Sequence, residues 1–278
     1  MPLTVDQMPE LPEVETTRRG LLPLIVGRSI TGVTVRHRGL RWPVPRALAE
    51  KLTGRQIAGI ARRGKYLLLD CGRGTLIVHL GMSGSLRVAP RDAMPGPWDH
   101  FDLELGDEVV RLRDPRRFGA VLWHEGDPAS HRLLRHLGVE PLSDGFTAEF
   151  LHAATRRRQA DIKQVVMNAA IVVGVGNIYA SESLFRAGIR PDTPASRLSL
   201  ERCARLVEAV KATLARAIET GGSTLRDFFA VDGKRGYFQQ EYFVYGREDE
   251  PCRRCGARIR RITQGGRSTF YCPRCQRR

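Results

Sequence analysis

Four cysteines near the C-terminal end, Cys252, Cys255, Cys272 and Cys275, form two C-x2-C pairs. Ile259, Ile262, Phe270 and Tyr271 flank Gly265-Gly266 between the pairs, which reads as a β-hairpin with its open end clamped. Four thiolates arranged tetrahedrally suit Zn2+, with an iron–sulfur cluster as the alternative. Four protein ligands leave no position for water, so the ion would be structural. Too few apolar residues lie here to build a core, so the metal would also supply folding energy. Nine arginines and no acidic residue lie between Pro251 and Arg278, which suits contact with a polyanion. Arg267 stands at the hairpin tip beside the two glycines and Ser268. A second pattern, Gly174-Val175-Gly176-Asn177, precedes a helical segment. No β-α-β unit surrounds it, so it fits a dinucleotide site poorly. It better suits a turn that offers backbone N–H groups and the Asn177 amide to phosphate.

These residues need a scaffold. Residues 9–26 read as a helix with Pro9 and Pro12 at its start and an apolar face of Val14, Leu21 and Leu22 broken at Pro23. Short β-prone runs follow: Ile30–Val35, Tyr66–Asp70, Thr75–Leu80, Leu86–Val88, Phe101–Leu105 and Val109–Leu112. Turns rich in Gly, Pro and Asp separate them, the pattern of an antiparallel sandwich or barrel. Connecting segments occupy 126–144, and helical periodicity then takes over. It is clearest at 199–220, where Ser199 can cap a stripe of Cys203, Leu206, Val207, Val210, Leu214 and Ile218 that ends at Gly221-Gly222. Thr224 and Asp227 give a weak capping signal, and Asp232–Arg247 reads as a long functional loop. The fold class expected is multidomain α+β: an N-terminal helix plus antiparallel β-sandwich, a helical domain and a C-terminal zinc-finger hairpin.

The net charge is +15, from 45 basic and 30 acidic side chains, and 40 of the 45 are Arg. Arg grips phosphate bidentately, so nucleic acid is the favoured partner, although genomic composition bias also inflates Arg. Clustered cysteines, with Cys71 and Cys203 alone elsewhere, suit metal ligation in a reducing compartment better than a disulfide framework. No run is long and apolar enough to span a bilayer, and the first residues lack a signal-peptide pattern. The expected setting is the cytoplasm, at the nucleoid, with no membrane partner.

The run Met8-Pro9-Glu10-Leu11-Pro12-Glu13-Val14-Glu15-Thr16 resembles the start of bacterial formamidopyrimidine-DNA glycosylases. His79-Leu80-Gly81-Met82-Ser83-Gly84, Asp114-Pro115-Arg116-Arg117-Phe118-Gly119, Gly174-Val175-Gly176-Asn177-Ile178-Tyr179 and the four-cysteine hairpin follow in that family's order. The resemblance runs from Met8 to the C-terminal end. It implies a helix-two-turns-helix domain between sandwich and finger, and the following organisation: 9–126 catalytic helix and sandwich, 140–230 helix-two-turns-helix, 231–247 lesion-recognition loop, 248–278 zinc finger. It also implies removal of oxidised purines (formamidopyrimidines and 8-oxoguanine) from duplex DNA, followed by β- and δ-elimination at the abasic site, by a monomer carrying one structural zinc.

The resemblance makes Pro9 the nucleophile, through a Schiff base with the opened sugar. An internal proline nitrogen is an inert amide, so residues 1–8 are expected to be an extension absent from the active protein. Glu10 is expected to protonate the ring oxygen, Glu13 to orient the amine, and Lys65 to contact phosphate near C1′ and assist proton transfer. Arg267 is tied to phosphate binding and the second elimination. Met82, Arg116 and Phe118 match the three residues that fill the void left by the flipped nucleotide, with Arg116 reading the orphaned cytosine. Arg158 falls at a basic DNA contact and Asn177 at a phosphate contact. Trp98 replaces the basic or His residue that many members carry, which exchanges a phosphate hydrogen bond for packing.

Other readings are a same-fold glycosylase for oxidised pyrimidines, a non-catalytic DNA-binding zinc protein, and a ribosomal or RNA-binding zinc protein. The Leu11–Glu15 run and the Met82/Arg116/Phe118 set disfavour the first. Retention of Pro9, Glu10 and Lys65 disfavours the second, and the Pro-Glu start the third.

Overall fold

Helix α1 (Leu11–Ile25) opens the described chain. Leu11, Val14, Leu21 and Ile25 are almost completely buried along one face, whereas Leu22 is 41% exposed and lies off it. Pro23 lies inside this helix, which runs nearly the length expected from sequence, residues 9–26. It removes one i→i−4 hydrogen bond, and the helix ends two residues later at Ile25. A computed structural model describes residues 8–222 and 242–278 of the chain. Residues 8–136 with 221–222 make one compact unit, and residues 137–220 with 242–278 make another.

Beyond α1, the first unit contains β1 (Gly32–Val35), a short α2 (Leu48–Leu52), β2 (Gly59–Arg63), β3 (Tyr66–Asp70), β4 (Thr75–His79), β5 (Ser85–Pro90), β6 (Asp99–Leu105), β7 (Glu108–Arg113) and β8 (Ala120–His124). The strands form two four-stranded antiparallel sheets, ordered β1-β6-β7-β5 and β2-β3-β4-β8. All six strands expected from sequence are present. Leu67, Leu69, Leu76, Ile77, Phe101, Leu103, Val110 and Leu112 fill the interior. Each such side chain stabilises the fold by roughly 2 kcal/mol through removal from water. Helix α1 packs on β2, β3 and β5.

The second unit contains α3 (Ala148–Thr155), α4 (Ile162–Val166), α5 (Asn177–Arg186), α6 (Leu200–Glu219) and the hairpin β9 (Arg260–Gln264) and β10 (Arg267–Tyr271). Thr147 caps α3 by accepting the Phe150 N–H, and Ser199 caps α6 by accepting the Arg202 N–H. The α6 stripe expected from sequence is buried, against α3 and α5. Glu182 of α5 is wholly buried and accepts three successive backbone N–H groups, from Phe243, Val244 and Tyr245, at 2.9–3.0 Å. Burial raises its pKa, opposed by these donors. It binds the chain at 243–245 to the helix that carries Asn177. The expected weak cap at Thr224/Asp227 and most of the expected 231–247 loop lie outside the described residues.

Glu182→Ala would leave three buried N–H groups without an acceptor, each costing about 1–3 kcal/mol. It should lower stability by on the order of 3 kcal/mol or more, read as a depressed thermal midpoint; Glu182→Gln should retain part of it.

Candidate active site and metal centre

Pro9 and Glu10 are buried immediately before α1. Glu10 takes an extended conformation as the N-cap, and its N–H donates to the Glu13 carboxylate at 2.8 Å. Glu10 is 2% exposed and Glu13 fully buried. Two carboxylates are thus held beside Pro9 at the electropositive end of a helix. One turn on, Glu15 pairs with Arg18 at 2.8 Å, Arg19 at 3.0 Å and Arg62 at 3.1 Å. Burial pushes its pKa up, but the Arg18 and Arg19 hydrogen bonds and the Arg18 and Arg62 charges prevail and hold it at about 2. The Arg62 pair fastens α1 to β2.

Lys65 sits, half-buried, on the two-residue turn between β2 and β3 that the Arg63–Tyr66 pair closes. Gly64 at φ +55° supplies the left-handed first position that a type II′ hairpin turn requires. Near this turn lies a residue given no role from sequence. The His79 ring lies against Tyr66, tilted by 50° with ring centroids 4.8 Å apart, and its Nδ1 accepts the Gly81 N–H at 3.0 Å. Burial, then the charges of Lys65 and Arg41, push its pKa down to about 3. His79 is therefore a neutral imidazole among cations.

Met82 lies half-buried in the turn after β4, while Arg116 and Phe118 are exposed on the 114–119 loop. The Arg116 guanidinium lies 5.2 Å from the Phe118 ring centre. Arg117 takes a left-handed φ of +58° and its side chain meets His37 Nε2 at 2.8 Å. Trp98 is 44% exposed and carries the Arg113 guanidinium on its face at 4.7 Å.

In the second unit, Asn177 is the first residue of α5, after the Gly176 N-cap. Its amide nitrogen donates to the Ser268 carbonyl at 3.0 Å and to the Tyr245 hydroxyl at 3.4 Å, and its Oδ1 accepts from Lys163. Lys163 Nζ also donates to Thr269 Oγ1 at 2.6 Å and is 2% exposed. The Asn177 side chain is thus engaged with β10 and Lys163. Arg158 is exposed beyond α3, with its Nε donating to the Ala154 carbonyl. Arg267 is exposed at the first position of β10, after Gly265 and Gly266 at φ +53° and +73°, the left-handed pair of a type I′ turn.

The four cysteine sulfurs lie within 4.8 Å of one another, with Cys252–Cys275 at 3.9 Å and Cys255–Cys272 at 3.5 Å. A tetrahedral zinc with bonds of ~2.3 Å spaces its sulfurs ~3.8 Å apart, so the donor set fits one ion. The Arg254 and Cys275 N–H groups donate to the Cys252 and Cys272 sulfurs at 3.4 Å, which favours thiolates. This is one structural Zn2+ site.

The fold and these motifs define a DNA-repair glycosylase scaffold. Family models match in succession: the formamidopyrimidine-DNA glycosylase N-terminal domain over residues 8–121, its H2TH domain over 137–229, and the zinc finger found in FPG and IleRS over 249–278. A formamidopyrimidine-DNA glycosylase from Janthinobacterium sp. (strain Marseille) is 60% identical over 273 residues, 97% of this chain and 100% of the relative. A Lactococcus lactis FPG mutant solved with Fapy-dG-containing DNA is 36% identical, with a TM-score of 0.91 over 97% of this chain and 100% of that one. MutM solved with carbocyclic 8-oxo-G-containing DNA is 36% identical, with a TM-score of 0.90 over the same shares. The chain belongs to the formamidopyrimidine-DNA glycosylase family.

Two outcomes follow. Metal analysis should find about one zinc per chain, and Cys252→Ser or Cys272→Ser should lose metal and DNA binding together; retained zinc in both would contradict the assignment. The His79 imidazole should show no protonation by NMR from about pH 8 down to pH 5. The unfolded chain takes up that proton near 6.5 and the folded chain only near 3. The stability tied to it is therefore complete above about pH 6.5 and lost as pH falls toward 3.

Proposed function

We propose that this protein is a bifunctional DNA glycosylase and abasic-site lyase that excises oxidised purines, formamidopyrimidines and 8-oxoguanine, from duplex DNA through a Schiff base on Pro9. The observation that carries the reading is the Pro9-Glu10 start of α1, with Glu10 and Glu13 buried and joined at the helix N-terminus. The relatives' names and the DNA in the two solved complexes support the substrate class.

The chemistry follows from these groups. A free Pro9 amine attacks C1′ and the glycosidic bond breaks, with the base leaving protonated. Glu10 delivers a proton to the ring oxygen as the sugar opens, leaving an iminium between Pro9 and C1′. Loss of a C2′ proton expels the 3′ phosphate, and a second elimination expels the 5′ phosphate; water then hydrolyses the iminium. Glu13, which accepts the Glu10 N–H, orients the reactive end. Lys65 assists at the phosphate beside C1′, and Arg267 binds phosphate through the second elimination. Met82, Arg116 and Phe118 fill the vacated stack, with Arg116 facing the orphaned cytosine, and Arg158 and the α5 start at Asn177 hold backbone phosphates. The zinc holds the finger and takes no part in bond making. The protein acts as a monomer on nucleoid DNA in the cytoplasm.

The Schiff base requires a free Pro9 nitrogen, so active protein should begin at Pro9, and residues 1–7 lie outside those described. Borohydride trapping on lesion-containing duplex with mass mapping should place the adduct on Pro9. Protein that retains residues 1–8 should bind duplex but not cut it. An adduct on Lys65, or cutting by protein with Pro2 at its intact N-terminus, would overturn the assignment.

A further inference from the structure

Two loops carry the three void-filling residues, and one buried carboxylate touches both. Asp114 is fully buried. Its Oδ2 accepts the Gly119 N–H at 2.7 Å, and its Oδ1 lies 3.5 Å from the Ser83 hydroxyl, next to Met82. The N–H groups of Arg116 and Arg117 also face it and oppose the rise in pKa that burial causes. Its main chain is held as firmly: the N–H donates to the Trp98 carbonyl at 2.9 Å, and its carbonyl accepts from Arg117 N at 3.1 Å and meets His100 Nε2 at 3.0 Å.

The glycines leave the loops no slack. A Cβ on Gly81 would lie 2.5 Å from Gly119 N and from the Phe118 carbonyl carbon. One on Gly119 would lie 2.7 Å from the His79 carbonyl and 2.9 Å from Asp114 Oδ2. Backbone thus meets backbone between the Met82 turn and the Arg116–Phe118 loop, and the carboxylate spans the junction. A burial this costly is stable only when its acceptor capacity is used, here by donors from the two loops that must hold a wedge in register.

We propose that Asp114 is the positioning residue for opposite-base reading: it locks the Met82 and Arg116–Phe118 loops into one rigid wedge, so that Arg116 meets the orphaned base in a single geometry. This rests on the void-filling reading of those three residues. An amide at this position keeps the shape and one acceptor oxygen but turns the other into a donor, so donors from the two loops no longer share one carboxylate. The wedge would then loosen without loss of the residues that perform it.

The test uses full-length zinc-loaded protein and four substrates: 8-oxoguanine duplexes with C, A or T opposite, and a duplex with a preformed abasic site. Asp114→Asn should lose preference for opposing C by about tenfold in single-turnover excision, since a correctly placed base contact discriminates by about that much. Its cleavage of the abasic site should stay within about threefold of wild type, because that step needs no rigid reading of the opposite base. Gly119→Ala, whose added methyl displaces the same carboxylate, is the second variant and should shift preference in the same direction. Arg116→Ala is the control. If it keeps full preference for C, the void-filling reading itself fails and the inference falls with it. If it loses preference while Asp114→Asn and Gly119→Ala keep theirs, or lose every activity in parallel, Asp114 supports the fold alone and the proposal is overturned.

Discussion

The hydrogen bond from the Glu10 N–H to the Glu13 carboxylate joins two acidic groups that are almost entirely out of water. It satisfies a donor that the first turn of a helix leaves open, and so decides where α1 begins. The placement of the groups around it depends on that point. Glu15, one turn later, reaches Arg62 on β2, and β2 and β3 present Lys65 on a two-residue turn. Moving the helix start by one residue would rotate every later side chain by about 100° and separate Glu15 from Arg62. A sandwich core of Leu, Ile, Val and Phe makes that register rigid.

The second unit serves binding with the same economy of parts. Glu182 and Asn177, on one helix, hold residues 243–245 and the β10 strand respectively. The buried Lys163 adds a cation that bridges Asn177 and Thr269. These links place the backbone N–H groups at the start of α5 in a fixed relation to the finger that carries Arg267. A metal at the open end of that hairpin replaces the core that so short a segment cannot build.

Much of this was legible in the sequence. The α6 stripe, six strands and the cysteine clamp follow from local periodicity and spacing. Strands β2 and β8 were missed. Gly59–Arg63 carries two arginines and lies at the edge of its sheet, where one face stays wet and alternation is weak. Leu22 misled because apolar character does not specify which face is covered. Pro9, Glu10, Lys65, Arg116 and Arg267 became candidates chiefly through resemblance, since composition alone makes them a helix start, surface charges and a turn residue. Asp114, Glu182, His79 and Lys163 were given no role. The significance of each rests on partners outside its own element (Ser83, Phe243, Lys65 and Thr269), which spacing along one element does not reveal. A buried lysine among only five lysines was a weak available signal.

The central claim is excision of oxidised purines from duplex DNA, and base release tests it most directly. Protein beginning at Pro9 would be mixed in single-turnover excess with duplexes that carry 8-oxoguanine or a formamidopyrimidine opposite C, and with matched duplexes carrying an oxidised pyrimidine. The account predicts release of the free purine lesions with strand cleavage, and much slower release of the pyrimidine. Tight duplex binding without release of any base, or faster release of the oxidised pyrimidine, would contradict it.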